Sequence, residues 1–227
     1  MNESRDNRKT RNGRALRVNA AVPSTAGGAG RPARSAKVER RTRETQVAVE
    51  LALDGEGRAE VSTGVPFLDH MLESFARHGF FDLKLNARGD LHIDEHHTVE
   101  DVGIVLGRAF RQALGDRSGI RRFGSAIVPL DEALCEAVVD ISGRVYLAYD
   151  VPIKQERVGA FQTELVHDFM KGLSDEVGMN LHLNLRAGRN PHHVIEAAFK
   201  ALARAMDVAT AVEPRISGVL STKGTLS

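Results

Sequence analysis

The sequence predicts an α+β protein made of two similar halves, because one order of elements and one histidine-rich hexamer each occur twice. Strands are indicated by alternation of apolar and polar residues, and helices by apolar residues every three or four positions. The hexamers are His96-His97-Thr98-Val99-Glu100-Asp101 and Pro191-His192-His193-Val194-Ile195-Glu196. Each follows a helix histidine, His70 or His167, at nearly the same distance. A tandem duplication of a strand–strand–helix–strand–helix half-domain explains both repeats, with two antiparallel sheets and helices packed between them.

The elements follow from local patterns taken in order along the chain. Alternation predicts strands over residues 46–53 and 58–62, and Pro66 and Gly79 bound a helix over 67–78. A strand over 81–88 and a long helix over 97–114 complete the first half. The second half repeats this order, with strands over 133–141 and 145–149, a helix over 161–176, a strand over 179–186 and a helix over 191–210.

A basic leader precedes the duplicated domain. Residues 1–37 carry nine Lys or Arg against two acidic residues and have no hydrophobic period, so we expect this leader to be disordered. A nucleic-acid arm, an organelle transit peptide and a solvated tail are alternatives for its role. Residues 38–227 then form one domain, with internal halves at about 38–125 and 126–227.

Composition excludes several classes of protein. The chain has 227 residues, of which 42% are hydrophobic and 27% charged, and no apolar run has the length of a membrane span. Aromatic residues make up 5% with no Trp, which argues against stacking on nucleic acid. The single Cys135 cannot form an internal disulfide. We expect a cytoplasmic protein without nucleic-acid or membrane partners.

The repeated hexamer has the spacing of metal ligands. His96 and Glu100 are four residues apart and therefore share one face of a helix, where both can hold one ion. His97 points about 100° away and can reach a second ion. A pseudo-twofold arrangement gives one ion the ligands His70, His96, Glu100 and His193, and the other ion the ligands His97, His167, His192 and Glu196.

The predicted ligand sets bear on the identity of the metal and of its ligand. Three imidazoles and one carboxylate leave each divalent ion a net positive charge, so the pair should attract an anion. Four protein ligands with two open octahedral positions fit Mn²⁺ or Fe²⁺ better than Zn²⁺. The ligand sets do not decide between these two ions; we take two Mn²⁺ per active site as the prediction, with other divalent transition metals left open. Cations and hydroxyls suited to an anionic substrate are Lys200, one helical turn beyond Glu196, together with Arg122, Arg144, Ser221 and Lys223.

Four further motifs accompany the two hexamers, namely Arg43-Glu44-Thr45, Phe67-Leu68-Asp69-His70-Met71-Leu72, Pro129-Leu130-Asp131-Glu132-Ala133-Leu134 and Ser221-Thr222-Lys223-Gly224. On these motifs, from about residue 38 to 226, the chain resembles the imidazoleglycerol-phosphate dehydratase family of histidine biosynthesis. Leu130 occupies a position where the family often has Met, and no predicted role depends on this difference. The leader lies outside the resemblance.

The resemblance implies a hydro-lyase that converts D-erythro-imidazole-glycerol phosphate to imidazole-acetol phosphate. The substrate imidazole would bridge the two metals as an imidazolate, so that the ring expels the adjacent hydroxyl while a base removes the neighbouring proton. By resemblance, Glu44 is the candidate acid/base and binds substrate, and Arg122, Arg144, Lys200, Ser221 and Lys223 hold the phosphate. Relatives form homo-oligomers of twenty-four subunits, with active sites at subunit interfaces.

Two other functions remain open from the residues alone. A dinuclear metallohydrolase would also use two ions, but such sites usually carry a bridging carboxylate and several Asp ligands. A non-catalytic metal-binding cage would use the same histidines but would leave Lys200, Lys223 and Arg122 unexplained.

Overall fold

The computed structural model describes residues 33–226, whose main strands form two four-stranded sheets. The first half contains β1 (Ser35–Arg41), β2 (Thr45–Ala52), β3 (Ala59–Ser62), α1 (Pro66–Gly79), β4 (Asp82–Gly89) and α2 (His96–Leu114). The second half contains β5 (Phe123–Leu130), β6 (Ala133–Asp140), β7 (Tyr146–Asp150), β8 (Arg157–Val158), β9 (Phe161–Gln162), α3 (Leu165–Val177), β10 (Asn180–Ala187) and α4 (Pro191–Thr210). The strand orders are β1-β2-β4-β3 and β5-β6-β10-β7, so the two sheets share one topology.

The helices lie between the two sheets, as the sequence predicted. Helix α2 packs on the first sheet and α4 on the second, because each has a continuous apolar stripe facing the buried side of its sheet. Across the middle, α2 contacts α3 and α1 contacts α4. The duplication is confirmed, and each helix of one half packs against a helix of the other.

Each four-stranded sheet contains one strand more than the sequence predicted. The additional strands, β1 and β5, are edge strands of their sheets. In β1 the exposed residues, which alternate with the more buried ones, are mostly charged, and β5 contains Gly124 and Pro129. Charges and proline are typical of sheet edges, and they also weaken the pattern by which a strand is recognised.

The prediction of purely antiparallel sheets was wrong for one strand pair in each half. Strand β3 is parallel to β4, and β7 is parallel to β10. A helix lies between the members of each pair along the chain, and a strand–helix–strand crossover returns the second strand in the direction of the first. The predicted order of elements already contained this information.

Three predicted boundaries also need correction. The helix predicted over 161–176 begins only at Leu165, because residues 157–162 form a short hairpin of β8 and β9 with Gly159 at positive φ in its turn. The leader predicted to end at residue 37 ends earlier, since β1 begins at Ser35, and residues 1–32 of it lie outside the described residues. The second half begins with β5 at Phe123 rather than at 126. Within the described range, no helix is both long and apolar enough to cross a membrane.

The contact between α2 and α3 depends on glycines that let the two backbones approach closely. A Cβ added at Gly103 would lie 2.5 Å from the carbonyl oxygen of Phe169, and one at Gly107 would lie 2.8 Å from that of Leu173. Neither carbonyl can move without moving its helix. The close packing of these helices therefore requires glycine at both positions.

Replacing Gly103 with alanine is expected to destabilise the protein by about 1–3 kcal/mol, because the added methyl overpacks the helix contact. Alanine has a higher helix propensity than glycine by roughly 1 kcal/mol, which opposes this loss but is smaller than the cost of overpacking. Thermal unfolding at fixed protein concentration measures the change, with exposed Gln112→Ala on the same helix as control. A midpoint as high as that of the control would contradict this account of the packing.

Candidate active site

The two hexamers form the first turns of α2 and α4, and a side chain just before each turn fixes it. The Asp94 carboxylate accepts a hydrogen bond from the His96 backbone N–H at 2.9 Å. The Asn190 side chain accepts one from the His192 backbone N–H at 3.0 Å. These caps satisfy amide groups that have no partner within the helix. They also set the direction in which the adjacent histidines leave the helix.

His70, His192 and Glu196 come together where α1 packs against α4. Their candidate ligand atoms all lie within 4.8 Å of one another. Glu196 Oε2 is 3.2 Å from His192 Nε2 and 3.5 Å from His70 Nε2. Two imidazole nitrogens and a carboxylate oxygen converging on one point suit a divalent transition metal, so the donor set fits the metal that the sequence predicted.

Lys200 contacts this group directly rather than lying a turn beyond it. Its ammonium nitrogen is 2.6 Å from Glu196 Oε1, and both side chains are largely buried. Burial alone would raise the pKa of Glu196, but the Lys200 hydrogen bond and charge, together with His70 and His192, lower it. Glu196 is therefore held as a carboxylate, the form that binds metal. The Lys200 side chain folds back along the helix toward Glu196. Residue spacing on an ideal helix does not reveal this contact.

His96 and His167 both lie close to Asp168, where α2 packs against α3. Asp168 oxygens lie 3.5 Å from His96 Nδ1 and 3.3 Å from His167 Nδ1. Glu100 is four residues after His96 on the exposed side of α2. Among the described residues, no three ligand atoms converge here as they do around Glu196, so the structure does not reproduce the first group at this position. Sequence reasoning did not single out Asp168, although its position next to His167 was a signal.

The remaining two histidines of the hexamers each pair with a carboxylate from a loop. His97 Nδ1 lies 3.0 Å from Asp90, and His193 Nδ1 lies 2.7 Å from Glu132. Because an ionised carboxylate only accepts, both imidazoles donate through Nδ1. The hydrogen bond that His97 donates to Asp90 raises the pKa of His97, and the one that His193 donates to Glu132 raises the pKa of His193. His193 and the backbone amide of Asn190 lower the pKa of Glu132 to about 2.

The single chain does not gather either predicted set of four ligands. Among the described residues, His70, His192 and Glu196 form the one group of three with metal-binding spacing, and this group crosses the predicted division. The physical reason is helix packing, since α1 lies against α4 and α3 against α2. Pseudo-symmetry alone did not say which helices are neighbours.

Glu44 lies in the exposed turn between β1 and β2. This turn is near the start of α2. The Thr42 hydroxyl accepts hydrogen bonds from the backbone N–H groups of Glu44 and Thr45, at 3.1 and 2.9 Å. Thr45 donates to Asp101 of α2, which also pairs with Arg40. Asp101 thus joins the turn to the helix that carries the hexamer. The hydrogen bond that His97 donates to Asp90 has the largest effect on the pKa of His97 and raises it, and burial, the second effect, lowers it. The negative charge of Glu44 is the third effect and also raises this pKa.

Four of the predicted phosphate-binding residues line one pocket near the carboxyl end of the described chain. They are Arg122, Arg144, Ser221 and Lys223. Arg215 lines the same pocket and was not predicted, because it lies outside every motif. Arg122 donates to both oxygens of Asp140 and to the carbonyl of Leu220, which ties the C-terminal segment to β6. Lys200 is not among the residues that line this pocket.

The fold and these side chains define an α+β protein of two duplicated halves with an imidazole- and carboxylate-rich centre and a cationic pocket. The model of the family described as imidazoleglycerol-phosphate dehydratase matches residues 63–206. The chain belongs to this family and is accordingly a hydro-lyase.

Similar proteins cover almost the whole described chain. The imidazoleglycerol-phosphate dehydratase of Citrifermentans bemidjiense is 58% identical over 194 residues, which cover 86% of this chain and 100% of the relative. That of Gluconobacter oxydans is 56% identical over 194 residues, covering 85% and 98%. The crystal structure of the Staphylococcus aureus enzyme has a TM-score of 0.71 at 37% identity and covers 78% of this chain and 98% of its own. IGPD from Pyrococcus furiosus has a TM-score of 0.73 at 40% identity and covers 83% and 100%.

Proposed function

We propose that the chain dehydrates D-erythro-imidazole-glycerol phosphate to imidazole-acetol phosphate in L-histidine biosynthesis, using two divalent metal ions, with Mn²⁺ as the preferred ion. Family membership supports the reaction. The observation that carries the metal dependence is the convergence of His70, His192 and Glu196 within 4.8 Å. The shared contact of His96 and His167 with Asp168 supports a second ion.

The eight hexamer and helix residues would hold the metals. They are His70, His96, His97, Glu100, His167, His192, His193 and Glu196. When bound, the ions supply Lewis acidity that stabilises the substrate ring as an imidazolate held between them. Lys200 keeps Glu196 ionised and ready for this role.

The other site residues bind the substrate and move a proton. Elimination takes the hydroxyl from the carbon attached to the ring and a hydrogen from the neighbouring carbon, and the resulting enol becomes a ketone. The Glu44 carboxylate accepts the carbon-bound proton, and this proton and the departing hydroxide together make up the water that is released. Arg122, Arg144, Ser221 and Lys223 form the cationic pocket that binds the phosphate and so fixes the position of the reacting carbons.

We further propose that complete sites form between subunits of a homo-oligomer, a 24-mer by family resemblance. One chain gathers three ligands at one point, and His97 and His193 remain partly exposed. These three ligands come from both predicted sets, and a second chain can supply the further ligands that complete each metal site.

The direct test supplies imidazoleglycerol phosphate to protein loaded with Mn²⁺ and follows the keto product. Formation of imidazole-acetol phosphate is expected. Absence of product from fully metallated protein would refute the proposal. Release of inorganic phosphate from simple phosphate esters would indicate a dinuclear hydrolase instead.

Arg144→Ala is expected to raise KM for the substrate about 10–100-fold with a smaller effect on kcat, because a charge-assisted hydrogen bond to phosphate contributes about 1.5–3 kcal/mol. Steady-state kinetics measures both constants. Lys84→Ala removes a cation from the exposed face of the first sheet and is the matched control. An unchanged KM in Arg144→Ala would place the phosphate elsewhere.

A further inference from the structure

The duplication makes Glu44 and Glu132 counterparts, although the structure uses them differently. Leu83 and Leu181 are equivalent in the repeated strand motif, and they pair with Leu51 and Val139 respectively. Counting back the same number of residues from these partners leads to Glu44 in the first half and to Glu132 in the second. Both carboxylates therefore belong to the turn between the first two strands of a half.

In the second half, this turn holds a histidine of the hexamer. Leu130 pairs with Ala133, so only two residues form the turn, and Asp131 adopts a positive φ of 47°. Glu132 then accepts hydrogen bonds from the Asn190 backbone N–H at 2.8 Å and from His193 Nδ1 at 2.7 Å. Glu132 is thus committed to orienting His193 at the start of α4.

In the first half, the orienting carboxylate comes from a different loop. Asp90, the first residue after β4, lies 3.0 Å from Nδ1 of His97, the counterpart of His193. The Asp90 side chain is only 12% exposed. The residue that follows β10 is Gly188, where a Cβ would lie 2.7 Å from the Val194 side chain. The second half therefore cannot place a carboxylate at the position of Asp90.

The first turn differs in a way that fits this exchange. Arg41 pairs with Gln46, so four residues separate the paired strands instead of two. The longer turn is closed by the Thr42 hydroxyl rather than by Glu44, which stays exposed. With His97 held by Asp90, Glu44 has no orienting role to perform.

We propose that Asp90 is the positioning residue of His97, as Glu132 is of His193. Because Asp90 has this role in the first half, Glu44 is left available to the substrate. Through Nδ1, Asp90 fixes the tautomer and ring orientation that present Nε2 to a metal. One fold duplication thereby yields two equivalent ligand histidines but a single acid/base carboxylate. This inference rests on the proposed function.

The test compares Mn²⁺ binding to metal-stripped wild-type protein and to Asp90→Ala, Glu132→Ala and Glu44→Gln. The dissociation constant is expected to rise about 10–100-fold in the first two variants, because each loses the partner of a ligand imidazole. Glu44→Gln is expected to bind Mn²⁺ like wild type. Asp90→Asn still accepts the imidazole N–H and should recover part of the affinity. The visible spectrum of the Co²⁺-loaded protein should change in Asp90→Ala and not in Glu44→Gln.

Two results would overturn the assignment. One is an Asp90→Ala protein that keeps the wild-type affinity and Co²⁺ spectrum. The other is a loss in Glu44→Gln as large as that in Asp90→Ala, since the two counterparts would then share one role. If wild-type protein binds Mn²⁺ and forms the keto product while either result holds, only this inference fails. If wild-type protein binds no divalent metal, the proposed function fails with it.

Discussion

Glu44→Gln is expected to lower kcat by about 10²–10⁴-fold while the protein keeps its full complement of metal. Glutamine has the shape of glutamate but cannot accept the carbon-bound proton. The turn should keep its conformation, because it is closed by Thr42 and anchored through Thr45 to Asp101, and neither contact uses the Glu44 side chain. Rapid-quench or steady-state kinetics and metal analysis of the same sample measure the two quantities together.

The matched control is Glu39→Gln, which neutralises an exposed carboxylate on the neighbouring strand β1. It should retain wild-type turnover. If metal content in Glu44→Gln falls in parallel with activity, Glu44 is a ligand or a positioning residue and the assigned role is wrong. If turnover is unchanged, the proton must be accepted by another group.

The sequence predicted the duplicated fold because its strongest signals are local and repeated. Helix α4 begins and ends where the pattern placed it, since Pro191 and the apolar stripe of the helix are both visible in the sequence. The edge strands β1 and β5 were missed because their charges and their Gly and Pro obscure alternation. The parallel pairing of β3 with β4 needed only the crossover rule applied to a correctly predicted order.

The candidate metal ligands could be named from the sequence, but their grouping could not. The hexamers fix which residues share a helix face, whereas the contact of His70 with Glu196 depends on α1 lying against α4. The role of Asp90 depends on the loop after β4 and has no periodic signal at all. Long-range packing and loop geometry determine which of these side chains lie close together. Local patterns in a single sequence do not reveal either. The eight-ligand set itself stays a prediction.

Removing divalent metal with a chelator is expected to abolish turnover and to split the proposed oligomer into smaller units. A metal that stabilises a negative charge in the reaction contributes several kcal/mol, so turnover should fall by at least about 10²-fold. The proposed assembly should loosen because His70, His192 and Glu196 of one chain supply three ligands, and a fourth would come from a neighbouring chain. Native mass and turnover, measured before and after chelation, report both effects.

Adding Mn²⁺ back should restore activity and mass together, whereas Mg²⁺ should not, because Mg²⁺ prefers oxygen ligands and this centre is rich in imidazole. Stripped protein that keeps full turnover would remove the metal from the mechanism. Stripped protein that loses turnover but keeps its native mass would show that each chain completes its own metal sites. In that case α1 and α4 of one chain would have to approach α2 and α3 of the same chain more closely when metal binds. The separation of mass from turnover thus decides whether the two halves of the duplication complete each other within a chain or between chains.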